Sequence, residues 1–147
     1  MKRTHLLNIA AAGLLMAAGA THAATMVEVF SSPTCGCCTK WIEHLRANGF
    51  EVKATNVQSN SSYRAKAGIP DHLGSCHSAF VNGYAIEGHV PAKDIKRLLL
   101  EKPRAKGLTV PGMPIGSPGM EGPGAVTYEV LLVQPDGTTR VFSRNAK

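Results

Sequence analysis

The sequence predicts an α/β fold that is extended by a β-hairpin near its C-terminal end. Three observations support this prediction. Between residues 26 and 102, short apolar segments alternate with segments of helical periodicity, in the order strand, helix, strand, helix, hairpin, helix. Asn82-Gly83 is typical of a tight hairpin turn, and Pro135-Asp136-Gly137 marks a second turn further along the chain. Strands that alternate with helices in this way are typical of α/β domains.

The first half of the chain contains two predicted strands and two predicted helices. Residues 26–30 are mostly apolar and form the first strand, whereas residues 50–57 alternate in polarity and form the second. Between them lies a helix that ends at Asn48-Gly49. Its apolar side chains recur at helical spacing and are Cys38, Trp41, Ile42 and Leu45. Residues 58–67 are polar and are predicted as a short second helix.

The second half begins with a hairpin and a third helix. Residues 78–81 and 84–86 flank the Asn-Gly turn as paired strands. Pro91 suits the first turn of a helix, and Pro103 ends that helix. The apolar stripe of the helix consists of Ala92, Ile95, Leu98 and Leu99.

A loop rich in methionine, glycine and proline precedes the final hairpin. Residues 110–124 form this loop, and residues 111–124 contain five glycines and four prolines, a composition typical of a flexible linker. Residues 128–133 and 138–144 are predicted as two further strands. We expect this hairpin at the edge of the sheet or packed on one of its faces.

The N-terminus predicts export from the cytoplasm. Lys2 and Arg3 precede an apolar run over residues 6–20, and small residues follow it. The run is too short to span a membrane comfortably. We therefore expect residues 1–23 to be a cleaved signal peptide. Residues 24–147 would then form a single periplasmic domain without a membrane anchor.

The charge of the chain does not favour nucleic acid as a partner. Without the leader, 14 basic and 10 acidic residues leave a net charge of +4, and the basic residues are dispersed. One stretch is denser, and we interpret it as a solvated helix face followed by a linker. It consists of Lys93, Lys96, Arg97, Lys102, Arg104 and Lys106.

The cysteines indicate a chemical site. Three of the four lie within Cys35-Gly36-Cys37-Cys38, and four cysteines are too few for a disulfide-stapled scaffold of this length. Cys35 and Cys38 have the spacing of a redox-active dithiol. Thiolates are also soft ligands that select Cu(I), Zn(II) or iron–sulfur clusters. The motif by itself leaves both interpretations open.

The order of the elements over residues 26–102 resembles the three-layer thioredoxin/glutaredoxin-like fold, which carries its active cysteines at the start of the first helix. In that topology the end of the first strand lies beside the start of the antiparallel third strand. We therefore expect six soft or borderline ligands to converge. They are Cys35, Cys37, Cys38, Cys76, His77 and His89. Redox members of this fold carry a cis-proline just before the third strand. We expect His77 at that position, and a histidine there favours a metal site. Pro70 is the alternative candidate for the cis-proline.

The methionine loop distinguishes between metals. Met113 and Met120 each lie among glycines and prolines, and a thioether binds Cu(I) well but Zn(II) poorly. Next to a cysteine cluster in an exported protein, these thioethers favour copper over zinc. Methionines that simply cover apolar surface are the alternative. We expect His44 on the outer face of the first helix and His72 in a loop near Cys76.

The unusual motifs together resemble those of the CopG-type periplasmic metal-binding proteins of bacterial copper resistance. The matching segments are Cys35-Gly36-Cys37-Cys38, Gly74-Ser75-Cys76-His77, Gly88-His89-Val90-Pro91 and residues 110–120. The resemblance implies a thioredoxin-like fold, copper binding through cysteines with help from methionine and histidine, and a role in copper tolerance.

A copper-binding protein of copper resistance, rather than an enzyme, is the leading hypothesis. Its four cysteines would bind Cu(I), and four thiolates are enough to permit a multinuclear site. His77 and His89 would bind at the rim and support Cu(II), and Met113 and Met120 would cap or ferry the ion. Copper ions are the expected partners, together with other periplasmic copper-handling proteins.

Two alternatives stay open. In a thiol–disulfide oxidoreductase, Cys35 would attack and Cys38 would resolve the mixed disulfide. A structural zinc site is the other alternative. It is less favoured because Cys37 and its neighbours are too crowded for two separate ligand pairs.

Overall fold

A seven-stranded mixed sheet organises the chain. The computed structural model describes residues 24–145, so the predicted leader, residues 1–23, lies outside the described residues. The strands are β1 (Met26–Ser31), β2 (Glu51–Asn56), β3 (His77–Val81), β4 (Tyr84–Glu87), β5 (Gly107–Thr109), β6 (Tyr128–Val133) and β7 (Thr139–Asn145). The helices are α1 (Gly36–Ala47), α2 (Ser61–Lys66) and α3 (Ala92–Glu101), with a 3-10 turn at Asp71–Leu73.

The strand order is β2-β1-β3-β4-β5-β6-β7. β1 pairs in parallel with β2 and antiparallel with β3, and β3 continues into the β3–β4 hairpin. These four strands and three helices are the predicted thioredoxin/glutaredoxin-like arrangement. β6 and β7 pair antiparallel as the added C-terminal hairpin. The predicted fold class is therefore confirmed.

Apolar side chains cover both faces of the sheet and produce three layers. On one face, α1 and α3 bury Trp41, Leu45 and Ile95 against strand residues such as Val29 and Ile86. On the other face, a smaller cluster follows α2. It comprises Ile69, Leu73, Ala85 and Val133. Neighbouring strand residues thus alternate between the two clusters, as the period of a pleated strand requires.

The segment after α3 differs from the predicted solvated linker, because it leads directly into a buried strand. Gly107–Thr109 is fully buried as β5, which pairs in parallel with β4 and antiparallel with β6. Lys106, interpreted from the sequence as part of a solvated linker, donates its ammonium group to the carbonyl of Gly68 at 2.9 Å. Three residues that include a glycine are too few to show alternation, so the pattern missed this strand. The hairpin therefore extends the sheet edge through β5.

The basic face of α3 is also less solvated than predicted. The guanidinium of Arg97 lies 3.6 Å from the ring centre of Phe142 on β7 and donates to the Phe142 carbonyl at 2.6 Å. This cation–π contact joins α3 to the added hairpin. Within the described residues, no helix is long and apolar enough to cross a membrane.

Candidate metal centre

Three chain segments meet at one end of the sheet. β1 ends at Ser31, which lies opposite His77 at the start of β3. β4 runs antiparallel to β3 and ends at Glu87, opposite Ser78. The chain then passes through Gly88, which donates its amide to the His77 carbonyl at 3.0 Å, and reaches His89. The turn after β1 leads into α1, so the start of this helix faces the other two segments.

Cys35 caps the N-terminus of α1. Its sulfur accepts a hydrogen bond from the Cys38 amide at 3.3 Å, and so satisfies one of the unpaired donors of the first turn. Cys35 and Cys38 are joined as a disulfide, whereas Cys37 and Cys76 are free thiols. Cys38 is buried, and the other three cysteines are half-buried.

The four sulfur atoms form one cluster. The Sγ atoms of Cys35, Cys37, Cys38 and Cys76 all lie within 4.8 Å of one another. The Cys37 sulfur is 3.4 Å from that of Cys35 and 3.9 Å from that of Cys76. The sulfurs of Cys38 and Cys76 are 3.4 Å apart. Once the disulfide is reduced, four thiols therefore converge on a space that a metal ion could occupy.

Two buried histidines adjoin the cluster through Cys76. The Cys76 sulfur lies 3.0 Å from His89 Nε2 and 3.4 Å from His77 Nδ1. Cys76 thus belongs both to the four-sulfur group and to a second group with His77 and His89. The structure therefore brings six of the eight predicted ligands together.

The protonation states of the two imidazoles suit metal binding, whereas that of Cys76 opposes it. Burial lowers the pKa of His77 to about 3, with a smaller contribution from the nearby His89. Burial also lowers the pKa of His89. Both imidazoles are therefore neutral near pH 7 and keep a lone pair for a metal. Burial, and next the charge of Cys37, raises the pKa of the Cys76 thiol to about 12, so metal binding would have to displace its proton.

The buried imidazole of His77 presents one of its two ring nitrogens, Nδ1, to the sulfur cluster. The side chain is fully buried, and its ring centre lies 4.2 Å from that of Trp41. Within the described part of the chain, His77 Nε2 has no hydrogen-bond partner. Buried polar atoms are normally paired. His77 Nδ1, the ring nitrogen beside the Cys76 sulfur, fits a thiophilic metal together with the soft sulfur donors.

The methionine loop packs over α1 and is not a free linker. The Pro118 carbonyl lies 2.8 Å from His89 Nδ1, and Ser117 is fully buried. Met120 lines a cleft of about 430 Å³ whose other walls include Cys37 and Lys40. Met113 is 50% exposed and does not line this cleft. Of the two predicted thioether residues, Met120 lines the cleft beside Cys37 and Met113 does not.

A buried polar network behind Cys76 was not predicted. Glu87 is 1% exposed and accepts from the Ser75 amide at 2.8 Å and from the Arg64 guanidinium at 3.3 Å. It also accepts hydrogen bonds from Asn60 and Ser78. This carboxylate fixes the backbone immediately before Cys76. The sequence signal was weak, since a glutamate before Gly88 also fits the exposed end of a hairpin.

His44 does not lie on the outer face of α1 as predicted. It is half-buried, and its Nε2 accepts a hydrogen bond from the Ala92 amide at 3.0 Å. His44 thus caps the N-terminus of α3. His72 is exposed in the 3-10 turn, outside the two ligand groups.

Comparisons with known proteins identify two family profiles and two related structures. The glutaredoxin family profile matches residues 27–71, and the profile described as protein of unknown function DUF411 matches residues 73–120. The chain is similar to the solved structure of Copper resistance protein copG, form 2, with 39% identity and a TM-score of 0.79. That similarity covers 84% of this chain and 99% of the other.

Form 1 of the same protein gives 38% identity and a TM-score of 0.79, covering 85% of this chain and 100% of the other. No curated protein sequence matches the chain significantly.

Proposed function

The chain belongs to the family of the CopG copper resistance proteins, and from this premise we propose that it binds Cu(I) as part of copper resistance. The observation that carries the proposal is the four-sulfur group joined through Cys76 to two buried, neutral imidazoles. Thiolates and thioethers prefer Cu(I), whereas imidazole also suits Cu(II). Copper is the cargo in this proposal.

The cysteines are the primary ligands. Reduction of the Cys35–Cys38 disulfide by an external dithiol adds two electrons and two protons and yields two thiols, which with the free Cys37 and Cys76 make four. These thiols then bind Cu(I) as thiolates and release their protons. Cys76 belongs to both ligand groups, so its sulfur is placed to bridge two ions. A multinuclear Cu(I) site is therefore part of the proposal.

The histidines and methionines have secondary roles. His77 and His89 bind at the buried side of the cluster and support Cu(II) if the metal cycles between its oxidation states. Met120 caps the metal from the cleft beside Cys37. Met113, which is exposed on the same loop, ferries the ion to or from other copper-handling proteins.

The proposed location is the periplasm. Residues 1–23 would direct export and be removed, which leaves residues 24–147 as one domain. The support for this part of the proposal is the charged start, apolar run and small residues of the leader.

Cysteine substitution tests the proposal. In a titration of reduced protein with Cu(I) against a chromogenic chelator, the quadruple Cys→Ser variant should bind no tight Cu(I). Cys37 is half-buried at the start of a helix, so the single variant Cys37→Ser should fold. It should bind fewer copper ions than the wild type. His72→Ala is the control, because His72 is an exposed histidine close to Cys76 in sequence but outside both ligand groups. Tight binding by the quadruple variant would refute the assignment.

One observation favours a second function. The Cys35–Cys38 disulfide, with a half-buried Cys35 and a buried Cys38, is the arrangement of an attacking and a resolving cysteine. In this alternative, the Cys35 thiolate attacks a substrate disulfide, and Cys38 then displaces the reduced substrate and closes the disulfide. Reduction of insulin disulfides by metal-free protein, lost in Cys35→Ser, would favour this alternative.

A further inference from the structure

We propose that the Pro118 carbonyl and Gly119 position His89 for metal binding: they hold its Nδ1–H and aim the bare Nε2 at the sulfur cluster. The inference rests on the proposed function, since it assigns a positioning role at the same site. Neither residue binds the metal in this account. They act through His89.

The hydrogen bond to Pro118 decides which tautomer His89 adopts. A carbonyl oxygen only accepts, so His89 Nδ1, which lies 2.8 Å from the Pro118 oxygen, must carry the proton. In a neutral ring, Nε2 then has a free lone pair. That nitrogen lies 3.0 Å from the Cys76 sulfur. The imidazole is fully buried, so water does not compete for either nitrogen.

Gly119 allows the loop to approach closely enough for this bond. A Cβ atom at Gly119 would lie 2.7 Å from the Cys37 carbonyl oxygen and 2.9 Å from the Trp41 amide nitrogen. It would also lie 3.4 Å from His89 Nδ1. The first two contacts are with the α1 backbone, which cannot move aside as a flexible side chain could. Any larger residue must therefore lift the loop away from α1 and His89.

The loop also holds its own shape. The Glu121 carboxylate accepts from the Gly119 amide at 2.7 Å, and Ser117 donates its hydroxyl to the Pro114 carbonyl at 2.7 Å. The Gly116 amide donates to the Met120 carbonyl at 2.9 Å. These bonds link residues 114–121 to one another. Displacing Gly119 would therefore move the Pro118 carbonyl with it.

A second glycine in the same loop, Gly124, serves as a control that separates the steric effect of a Cβ atom from the strain of a positive φ. Gly119 has φ +86° and Gly124 has φ +82°, so alanine is strained to a similar degree at both positions. A Cβ at Gly124 meets no atom within 4 Å. Gly124→Ala therefore shares the conformational penalty of Gly119→Ala but not its steric effect on the Pro118–His89 contact.

The test records the ¹⁵N imidazole spectrum of reduced, metal-free protein at about pH 7.5, where the buried His89 ring, whose pKa is lowered, is neutral. The His89 signals are identified by their loss in His89→Gln. Wild type and Gly124→Ala should show His89 with the proton on Nδ1, whereas Gly119→Ala should shift His89 towards the Nε2–H form. Wild-type protein with the proton on Nε2, or an unchanged tautomer in Gly119→Ala, would overturn the proposal.

Cu(I) affinity gives the second measurement. Loss of an outer-shell partner typically weakens metal binding by about 10–100-fold, so Gly119→Ala should bind that much more weakly than Gly124→Ala. If Gly119→Ala fails to fold, Glu121→Ala replaces it: Glu121 is exposed, and its loss removes the anchor of the Gly119 amide. A tautomer shift without Cu(I) binding in any protein would refute the proposed function alone. Equal affinities and equal tautomers would refute the positioning role alone.

Discussion

At the scale of single residues, His44 links the first helix to the third. Its Nε2 accepts from the Ala92 amide, which is one of the unpaired donors at the start of α3. Burial lowers the pKa of His44, and the opposing effect of the Glu121 carboxylate is smaller. The neutral ring is the form that can accept this hydrogen bond. His44 therefore stabilises the fold only while it is unprotonated.

The consequence is a pH-dependent stability. A histidine whose pKa is lower in the folded state binds more protons when the protein is unfolded. Its contribution to the free energy of unfolding is therefore present above the unfolded pKa of about 6.5 and is lost as the pH falls. We expect urea unfolding of metal-free protein to show a smaller loss of stability between pH 7.5 and pH 5 in His44→Gln, which keeps a neutral acceptor. His44→Ala should lose about 1 kcal/mol at neutral pH, as for other helix caps.

His72→Gln provides the control for this experiment, because His72 is exposed and lies outside the contact with α3. It should keep the pH dependence of the wild type. A His44→Gln protein that loses as much stability on acidification as the wild type would contradict the assignment.

At the scale of elements, β5 joins the added hairpin to the thioredoxin-like sheet. Its three residues are buried and pair with β4 on one side and β6 on the other. Gly107 begins the strand opposite Ala85, where a Cβ atom would overlap the Ala85 carbonyl oxygen. Because Gly107 and Ala85 are paired residues of adjacent strands, an added methyl group cannot be accommodated without separating the strands.

Substitution of this glycine should therefore be costly. We expect Gly107→Ala to lower the free energy of unfolding by about 3 kcal/mol, the upper part of the range for overpacked sites. Gly122→Ala is the comparison, since a Cβ there meets nothing within 4 Å. Thermal unfolding followed by circular dichroism measures the difference. Similar melting temperatures for the two variants would show that β5 does not pack as described.

The elements also show what sequence patterns can and cannot reveal. The strand at Met26–Ser31 and the helix carrying Trp41 and Leu45 were predictable, because their apolar spacing matches the period of each structure. β5 was not predictable, because it is short and its burial comes from pairing on both sides. The contact between Gly119 and α1 was not predictable either, because the sequence does not indicate which backbone a loop glycine contacts.

At the scale of the whole molecule, topology explains why the soft ligands meet. The pairing of Ser31 with His77 and of Ser78 with Glu87 places three chain segments at one sheet end. The order of elements was sufficient to predict that convergence. The distances, the tautomer of His89 and the buried Glu87 network depend on side-chain packing, which no local pattern encodes.

The hydrophobic core lies on other parts of the same elements. Val27, Leu45, Ile95 and Leu108 are fully buried, and helices pack on both faces of the sheet. Apolar burial on this scale is the main stabilising contribution in a domain. The fold therefore has an extensive apolar core apart from the sulfur cluster.

The most direct test of the central claim is an anaerobic titration of reduced protein, residues 24–147, with Cu(I) against a chromogenic chelator, with Zn(II) in parallel. The account predicts that each chain removes more than one Cu(I) from the chelator and binds Zn(II) more weakly, because soft sulfur ligands prefer Cu(I). A chelator that keeps all of its Cu(I) would contradict the account and leave the Cys35–Cys38 dithiol as the functional unit.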